Sequence, residues 1–378
     1  MVTDQTACIA GGDDSHAPLA RMRQAQQNGT MGVEAMHVKK AIALAFAATV
    51  LTGCGTVDTS ETADTLVVSR ASSAPTLDGA ANDGAWASAR PLRVNLSGGM
   101  NFKDGQTTVT LKSVVTGATI YFLIQYADPT ESKRRGPYQK QADGSWKKLT
   151  DPSDKGGDDN LYYEDKWALI WNINNSVAGF NQSGCAVMCH VGEGKPFGNK
   201  YTSKPGELAD MWHMKTGRNG VFGQVDDQYV DDTRYDPKTS PNAGRKGDPG
   251  GSEYTAFSIV NGKPQYMNKD GRAATAGGTY YIKEGEQVAF DDKFKPGDEV
   301  ASYVVHRVKG DRGDIQAAYR WQSGTWTFEV ARKLTTGSKV DVQFDDPTKT
   351  YYFGLAAFDN AQVRHAISGQ VLKLVFDR

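Results

Sequence analysis

Short runs of β-branched and aromatic residues dominate the chain from Leu66 onward, and turns rich in Gly, Asn and Asp separate them. Between 314–321 and 325–334 the loop is short and contains glycine, which predicts a β-hairpin. No repeat of fixed period is visible. Roughly ten strands at this spacing predict an antiparallel sandwich or barrel. The runs occupy residues 66–69, 92–96, 107–115, 119–126, 166–171, 300–308, 314–321, 325–334, 350–358 and 370–376.

The middle of the chain has a different texture. From about 173 to 252 the strand signal fades while Gly, Asp, Lys and Pro become more frequent, and residues 206–218 are the best candidate for a helix. We therefore expect a mainly β protein in which two β-rich parts flank a loop-and-helix insertion. Long irregular segments inside a compact domain are usually functional.

Composition excludes several classes of protein. The formal net charge is -1, with no basic stripe of the kind a nucleic-acid-binding protein needs. A mean hydropathy of -0.53 excludes a multi-span membrane protein. Only four cysteines are present, so the chain is not a disulfide-stapled scaffold.

The N-terminal part indicates export and lipid anchoring. Residues 36–53 combine a basic start with an apolar stretch too short to span a bilayer, as in a signal peptide. They end in Leu-Thr-Gly before Cys54, which resembles a bacterial lipobox. We expect Met36 to be the true start, 1–35 to be an upstream artefact of the gene assignment, and Cys54 to be lipidated. The alternative is an ordinary signal peptide followed by an incidental cysteine.

These boundaries predict the organisation of the mature chain. Residues 54–64 would form a polar tether, and 65–378 the folded domain. Because Gly55 rather than Asp follows the cysteine, we expect a periplasm-facing protein anchored to the outer membrane.

The insertion contains the sequence Gly-Cys-Ala-Val-Met-Cys-His at 184–190. Covalent c-haem attachment usually uses C-x-x-C-H, where two thiols add to the haem vinyl groups and the adjacent histidine ligates iron. Here the spacer between Cys185 and Cys189 is one residue longer. The pattern favours one covalent haem c, with His190 as an axial ligand.

Three alternatives compete with haem at this motif: a disulfide between the two cysteines, a zinc site, and a pair of buried structural thiols. Iron would also need a second axial ligand or an open face. Five residues are candidates for this second ligand, and the sequence alone does not rank them. Trp212, next to three of them in the chain, would pack on the porphyrin. The candidates are His213, Met214, Lys215, His306 and His365.

Four segments together resemble a known family. The chain is similar to the haem-binding subunits of ethylbenzene dehydrogenase and dimethyl sulfide dehydrogenase, in a covalent c-haem branch. The resemblance implies an immunoglobulin-like β-sandwich with one haem, and electron transfer beside molybdenum enzymes of the dimethyl sulfoxide reductase type. It is carried by residues 184–194, 208–218, 312–334 and 353–369.

The resemblance also implies a ligand set. The subunits named hold haem b between Met and Lys; in this chain His190 stands in the first place, and His365 falls where the Lys would be. Met214, His213 and Lys215 remain rivals. Arg364, beside His365, would pair with a haem propionate, the alternative being an ordinary surface arginine.

The sequence thus predicts a lipid-anchored monohaem c-type cytochrome that transfers single electrons and is not an enzyme. Its expected partner is a redox protein, for example a molybdenum enzyme, and no nucleic acid. The alternative is a carbohydrate- or surface-binding lipoprotein without haem, in which the thiols are incidental. Residues 75–94 look like the opening of sugar-binding β-sandwich modules, which supports the fold and not sugar binding, because fold does not fix function. A haem-based enzyme or sensor with an open coordination position is a third reading.

Overall fold

A computed structural model describes residues 64–155, 157–191 and 199–377, apart from the side chains of His190, Val191 and Asn199. The predicted signal peptide, the lipidation site Cys54 and almost all of the tether lie outside the described residues. Within the described part, no helix is both long enough and apolar enough to cross a membrane.

Strands form nearly all of the regular structure in the described residues. In chain order they are β1 (Thr65–Arg70), β2 (Leu92–Ser97), β3 (Gln106–Thr116), β4 (Thr119–Ala127), β5 (Tyr138–Lys140), β6 (Trp146–Lys148), β7 (Lys166–Asn172), β8 (Cys189–Val191), β9 (Asn199–Lys200), β10 (Ala209–Lys215), β11 (Asp226–Val230), β12 (Arg245–Gly247), β13 (Tyr254–Ala256), β14 (Ile259–Val260), β15 (Lys263–Pro264), β16 (Tyr266–Asn268), β17 (Ile282–Lys283), β18 (Gln287–Ala289), β19 (Glu299–Val300), β20 (Tyr303–Val305), β21 (Gln316–Gln322), β22 (Thr325–Lys333), β23 (Tyr351–Phe358), β24 (Ala366–Ser368) and β25 (Leu372–Phe376).

Helices are short. The α-helix α1 has four residues, Phe180–Ser183. Single turns of 3-10 helix cover Gly84–Trp86, Lys103–Gly105, Ile173–Asn175, Gly184–Val187, Asn219–Phe222, Ala274–Ala276 and Gly310–Gly313.

Two layers of antiparallel strands face each other. One layer has the order β12-β11-β10-β7-β23 and the other β2-β3-β4-β22-β21, with β24 joining them between β23 and β2. On the opposite side β1 pairs in parallel with both β3 and β25. Ring contacts cross between the layers, as between Phe122 and Trp212, whose centroids are 5.5 Å apart. The prediction of a mainly β antiparallel sandwich is confirmed.

The core between the layers is built by strand alternation, because successive side chains point to opposite faces. On β7, Trp167, Leu169 and Trp171 are buried in this core. On β22, Trp326 and Phe328 are fully buried opposite them. The residues between these positions on β7 therefore face outward, which is what creates the surface described below.

The predicted helix at 206–218 is wrong, because residues Ala209–Lys215 form β10, which pairs with both β7 and β11. Pairing on both sides fixes the extended backbone, and the tertiary context decides a segment whose local propensity is ambiguous. The correction matters because a strand sends neighbouring residues to opposite faces.

A smaller apolar cluster lies outside the sandwich. It is formed by strands inserted between β4 and β7 and between β12 and β21, with Tyr138 and Trp146 on one side and Ile282 and Val300 on the other. Buried ion pairs of Arg218 with Glu164 and Glu253 join residues near this cluster to the sandwich.

Candidate functional site

The outer face of the β10-β7-β23 layer has small side chains at its centre. In register across the three strands, His213 lies opposite Ala168, and Ala168 lies opposite Ala356. Two residues along β23, Gly354 lies opposite Ile170. Small residues side by side in a sheet allow another segment or group to approach the backbone closely.

The cysteine segment packs on this face. Cys185 lies in a 3-10 turn and Cys189 begins β8, and both thiols are free and half-buried. A Cβ on Gly354 would lie 3.3 Å from Cys185 Sγ, so the glycine allows the close approach. Met188, in the spacer, is fully buried beside Ile170.

The two thiols interact with each other. Cys185 shares a hydrogen bond with Cys189, and this bond lowers the pKa of Cys189 to about 7, with Lys200 adding to the effect. The same bond and burial raise the pKa of Cys185. The segment thus presents two adjacent sulfurs that share one hydrogen bond.

His213 is buried on the same face with unusual chemistry. It is 7% exposed, yet neither ring nitrogen has a hydrogen-bond partner among the described residues. Burial holds its pKa well below the ordinary value, assisted by the positive charges of Lys215 and Lys166. A buried neutral imidazole without a partner is expensive in a protein, and it is a suitable nitrogen ligand for a metal.

His365 reaches this region from the loop between β23 and β24. Its ring lies 4.6 Å from that of Phe358, and Phe358 lies 5.7 Å from the ring of His213. The Nδ1 of His365 pairs with the carbonyl oxygen of Val363 at 2.5 Å. With Nδ1 as donor, Nε2 carries the lone pair, which is the usual arrangement in a metal-ligating histidine.

Two predicted site residues lie elsewhere. Trp212 and Met214 are fully buried in the core between the layers, on the face of β10 opposite to His213. The expectation that Trp212 packs on a porphyrin, and the rival position of Met214, both assumed a helix. Strand alternation separates these side chains from the cysteine segment.

Lys215 and Arg364 are already engaged in ion pairs. The Nζ of Lys215 is bound by Asp226 and by Glu253, the latter at 2.8 Å. Arg364 is 51% exposed and forms a two-pronged bond with Asp158, Nη2 to Oδ2 measuring 2.8 Å. Arg364 is therefore a surface arginine whose charge is paired within the chain.

The predicted ligand His190 lies within β8, but its side chain is outside the described residues. Of the other candidates, His306 follows β20, outside the three strands of this face, and its Nδ1 lies 3.3 Å from Glu284, which follows β17. The structure thus brings His213 and His365 together around one phenylalanine, and leaves Met214 and His306 apart.

Lys166 is a site residue that the sequence analysis missed. It is 1% exposed, lies 4.1 Å over the ring of Phe358, and donates to the carbonyl oxygen of Gln362 at 2.9 Å. It therefore ties the outer face to the loop that carries His365. The alternation of Lys166, Ala168 and Ile170 in the β7 sequence was the signal that could have placed it there.

Comparisons with solved structures give weak likenesses. One is a family 9 carbohydrate-binding module from Caldicellulosiruptor kristjanssonii, solved with cellotriose. The match covers 83% of this chain and 93% of the module, at 9% identity and a TM-score of 0.32. The same module with glucose gives a TM-score of 0.31 at 9% identity, over 83% of this chain and 95% of its own. No curated protein matches the chain in sequence.

The sequence profile of the family described as ethylbenzene dehydrogenase matches residues 83–369. The matched range contains the cysteine segment, His213 and His365, together with every strand from β2 to β24. Since it spans most of the 378 residues, the chain belongs to the ethylbenzene dehydrogenase family.

Proposed function

We propose that this protein is a lipid-anchored, periplasm-facing monohaem c-type cytochrome. It carries single electrons to or from a redox partner such as a molybdenum oxidoreductase, and it catalyses no reaction of its own. The observation that carries the proposal is the common placement of a free cysteine pair and two imidazoles on one face of the sandwich. Membership of the ethylbenzene dehydrogenase family supports an electron-transfer role.

The residues on this face fit a covalently attached haem. Cys185 and Cys189 would hold the haem through thioethers, and His365 together with His190, whose side chain is outside the described residues, would hold its iron. Because the side chains of Ala168 and Ala356 are small, a flat ring could lie close to the sheet at these positions. When bound, the haem supplies a one-electron change at its iron.

The chain's own contribution is to hold and shield that group. Ile170, Met188 and Met211 form an apolar floor beside the thiols, and apolar surroundings with little water tune a redox centre. The bond from His365 to Val363 fixes the tautomer and ring orientation of that histidine. Lys166 holds the same loop from below through Gln362.

His213 is the rival to His365, because its two ring nitrogens lack partners. A strand residue is held more rigidly than a loop residue, whereas the loop histidine already has its Nδ1 partner in place. The choice between the two imidazoles has a direct spectroscopic consequence, since loss of an axial ligand changes the spin state of haem iron.

The test uses the full chain produced with a c-haem maturation system. We expect His365→Ala to lose the low-spin absorption spectrum and to bind carbon monoxide when reduced. We expect His213→Ala and Met214→Leu to keep the low-spin spectrum. A low-spin spectrum retained in His365→Ala and lost in His213→Ala would assign the ligand to the strand and overturn our assignment.

A further inference from the structure

Three buried carboxylates meet at one end of β10, away from the cysteine face. Asp210 comes from β10, Asp227 from β11, and Asp341 from the segment between β22 and β23. Each is at most 1% exposed, and one carboxylate oxygen from each lies within 4.8 Å of the others. Like charges this close in a protein interior repel strongly unless something compensates them.

Each of the three carboxylates has one oxygen held by a protein donor. The other oxygen, Oδ1 of Asp210, Oδ2 of Asp227 and Oδ1 of Asp341, is buried without a hydrogen-bond partner in the described structure. The donors to the held oxygens are Trp212 (3.1 Å) and Val342 (2.9 Å) for Asp210, Gln228 (3.1 Å) for Asp227, and Thr336 (2.6 Å) for Asp341.

A fourth carboxylate points to a ligand independently. Asp248 is 3% exposed, and neither of its oxygens has a hydrogen-bond partner among the described residues. Its backbone amide donates to the carbonyl oxygen of Asp227 at 3.1 Å, and its side chain interacts electrostatically with Asp210 and Asp341. A buried carboxylate without a donor is among the most costly groups a fold can contain.

The protein's own positive charge covers only part of this cluster. Arg332 is fully buried, with Nη2 2.9 Å from Asp341 Oδ2 and 3.6 Å from Asp210 Oδ2. Among the described residues, Arg332 is the cation in ion-pair contact with these carboxylates, so the carboxylates outnumber the positive charge paired with them. A bound cation would both coordinate the oxygens that lack partners and offset the negative charge that Arg332 leaves uncompensated.

We propose that Asp210, Asp227, Asp248 and Asp341 form a binding site for a hard divalent cation of the Ca²⁺ class. Carboxylate oxygens without nitrogen or sulfur ligands select Ca²⁺ over Zn²⁺, and an all-protein oxygen cage suits Ca²⁺ better than Mg²⁺. The bound ion fastens the segment after β22 to β10, β11 and the end of β12.

A second acidic group in the structure has fewer buried carboxylate oxygens without hydrogen-bond partners. Asp128, Asp165 and Asp359 also bring carboxylate oxygens within 4.8 Å of one another. Both oxygens of Asp165 accept backbone amides, from Asn360 and Ser132. Among the described residues, Oδ2 of Asp128 is the fully buried oxygen of this group that has no hydrogen-bond partner. The second group therefore serves as the matched control.

The experiment measures calcium bound to the mature, haem-loaded chain after equilibrium dialysis against Ca²⁺, and Tm with Ca²⁺ or with EDTA. We expect about one Ca²⁺ per chain and a Tm about 2 °C or more higher with 1 mM Ca²⁺ than with EDTA. No bound calcium together with an unchanged Tm would overturn the proposal without any variant.

Two substitutions locate the ion. Asp248→Asn keeps the shape of the side chain and removes a charge, so it should lower calcium affinity at least tenfold and remove the Tm response. Asp128→Asn, in the control group, should leave both unchanged. Calcium binding that survives Asp248→Asn and is lost in Asp128→Asn would overturn the proposal, and circular dichroism identifies any variant that has not folded.

Discussion

Gly354 on β23 lies directly beneath the cysteine segment. A side chain there would meet Ile170 Cγ2 at 3.1 Å as well as Cys185 Sγ at 3.3 Å. We expect Gly354→Val to displace Cys185, to cost about 1–3 kcal/mol of stability through overpacking, and to lower the ratio of covalent haem to protein. Absorbance per chain and urea unfolding measure the two effects.

Gly84→Ala is the control for this change, because a Cβ at Gly84 meets no atom within 4 Å. It should leave the haem content and the free energy of unfolding close to those of the wild type. A normal haem content in Gly354→Val would mean that the thiol does not need this approach.

At the level of single residues, what is local in the sequence could be predicted and what is distant could not. The cysteine pair stands out through its own short motif, whereas His365 was preferred to the other candidate ligands only through the family resemblance. Gly354 and Lys166 matter through partners far along the chain, Cys185 and Gln362, which only the register of β7 and β23 brings near. Sequence patterns without register carry no such information.

Among the elements, three strand ends meet at a second acidic group. Asp128 follows β4, Asp165 precedes β7 and Asp359 follows β23. Burial and the neighbouring carboxylate of Asp359 raise the pKa of Asp128 from its ordinary value of 3.8 to about 7. Burial, helped by the Asp128 charge, also raises the pKa of Asp165 well above its ordinary value.

The direction of the pH effect follows from these shifts. Between pH 4 and 7 the folded chain keeps a proton on Asp128 that the unfolded chain releases, so the stabilisation is present at low pH and is lost as pH rises through about 7. Urea unfolding measures how far the free energy of unfolding falls between pH 5 and pH 8. We expect this fall to be smaller in Asp128→Asn than in the wild type, by about 1–3 kcal/mol.

Asp236→Asn provides the comparison, since Asp236 is exposed and its pKa is lowered by bonds from Thr239 and Lys238. Its dependence between pH 5 and pH 8 should match that of the wild type. If Asp128→Asn shows the wild-type slope, the buried carboxylate does not hold the proton assigned to it.

β10 shows where element prediction failed and why. The sequence of 206–218 has no period that separates helix from strand, and pairing with β7 and β11 decides the outcome. The predicted helix left both His213 and Met214 as candidate ligands, whereas the strand sends His213 to the cysteine face and Met214 to the core.

For the molecule as a whole, the long strands could be predicted and the short ones could not. The runs at 107–115, 119–126 and 325–334 correspond closely to β3, β4 and β22. The run at 300–308 contains the short strand β20 and only the last residue of β19, both near the smaller cluster. Strands of two or three residues carry too little pattern to be recognised before their partners are known.

The central claim is that one haem is attached through Cys185 and Cys189, and intact mass spectrometry of the mature chain tests it most directly. With the c-haem maturation system present, we expect the polypeptide mass plus one haem that survives denaturation. In Cys185→Ala with Cys189→Ala, the added mass should be absent. A mature wild-type chain without added mass, while a control cytochrome c matures normally in the same cells, would contradict the account.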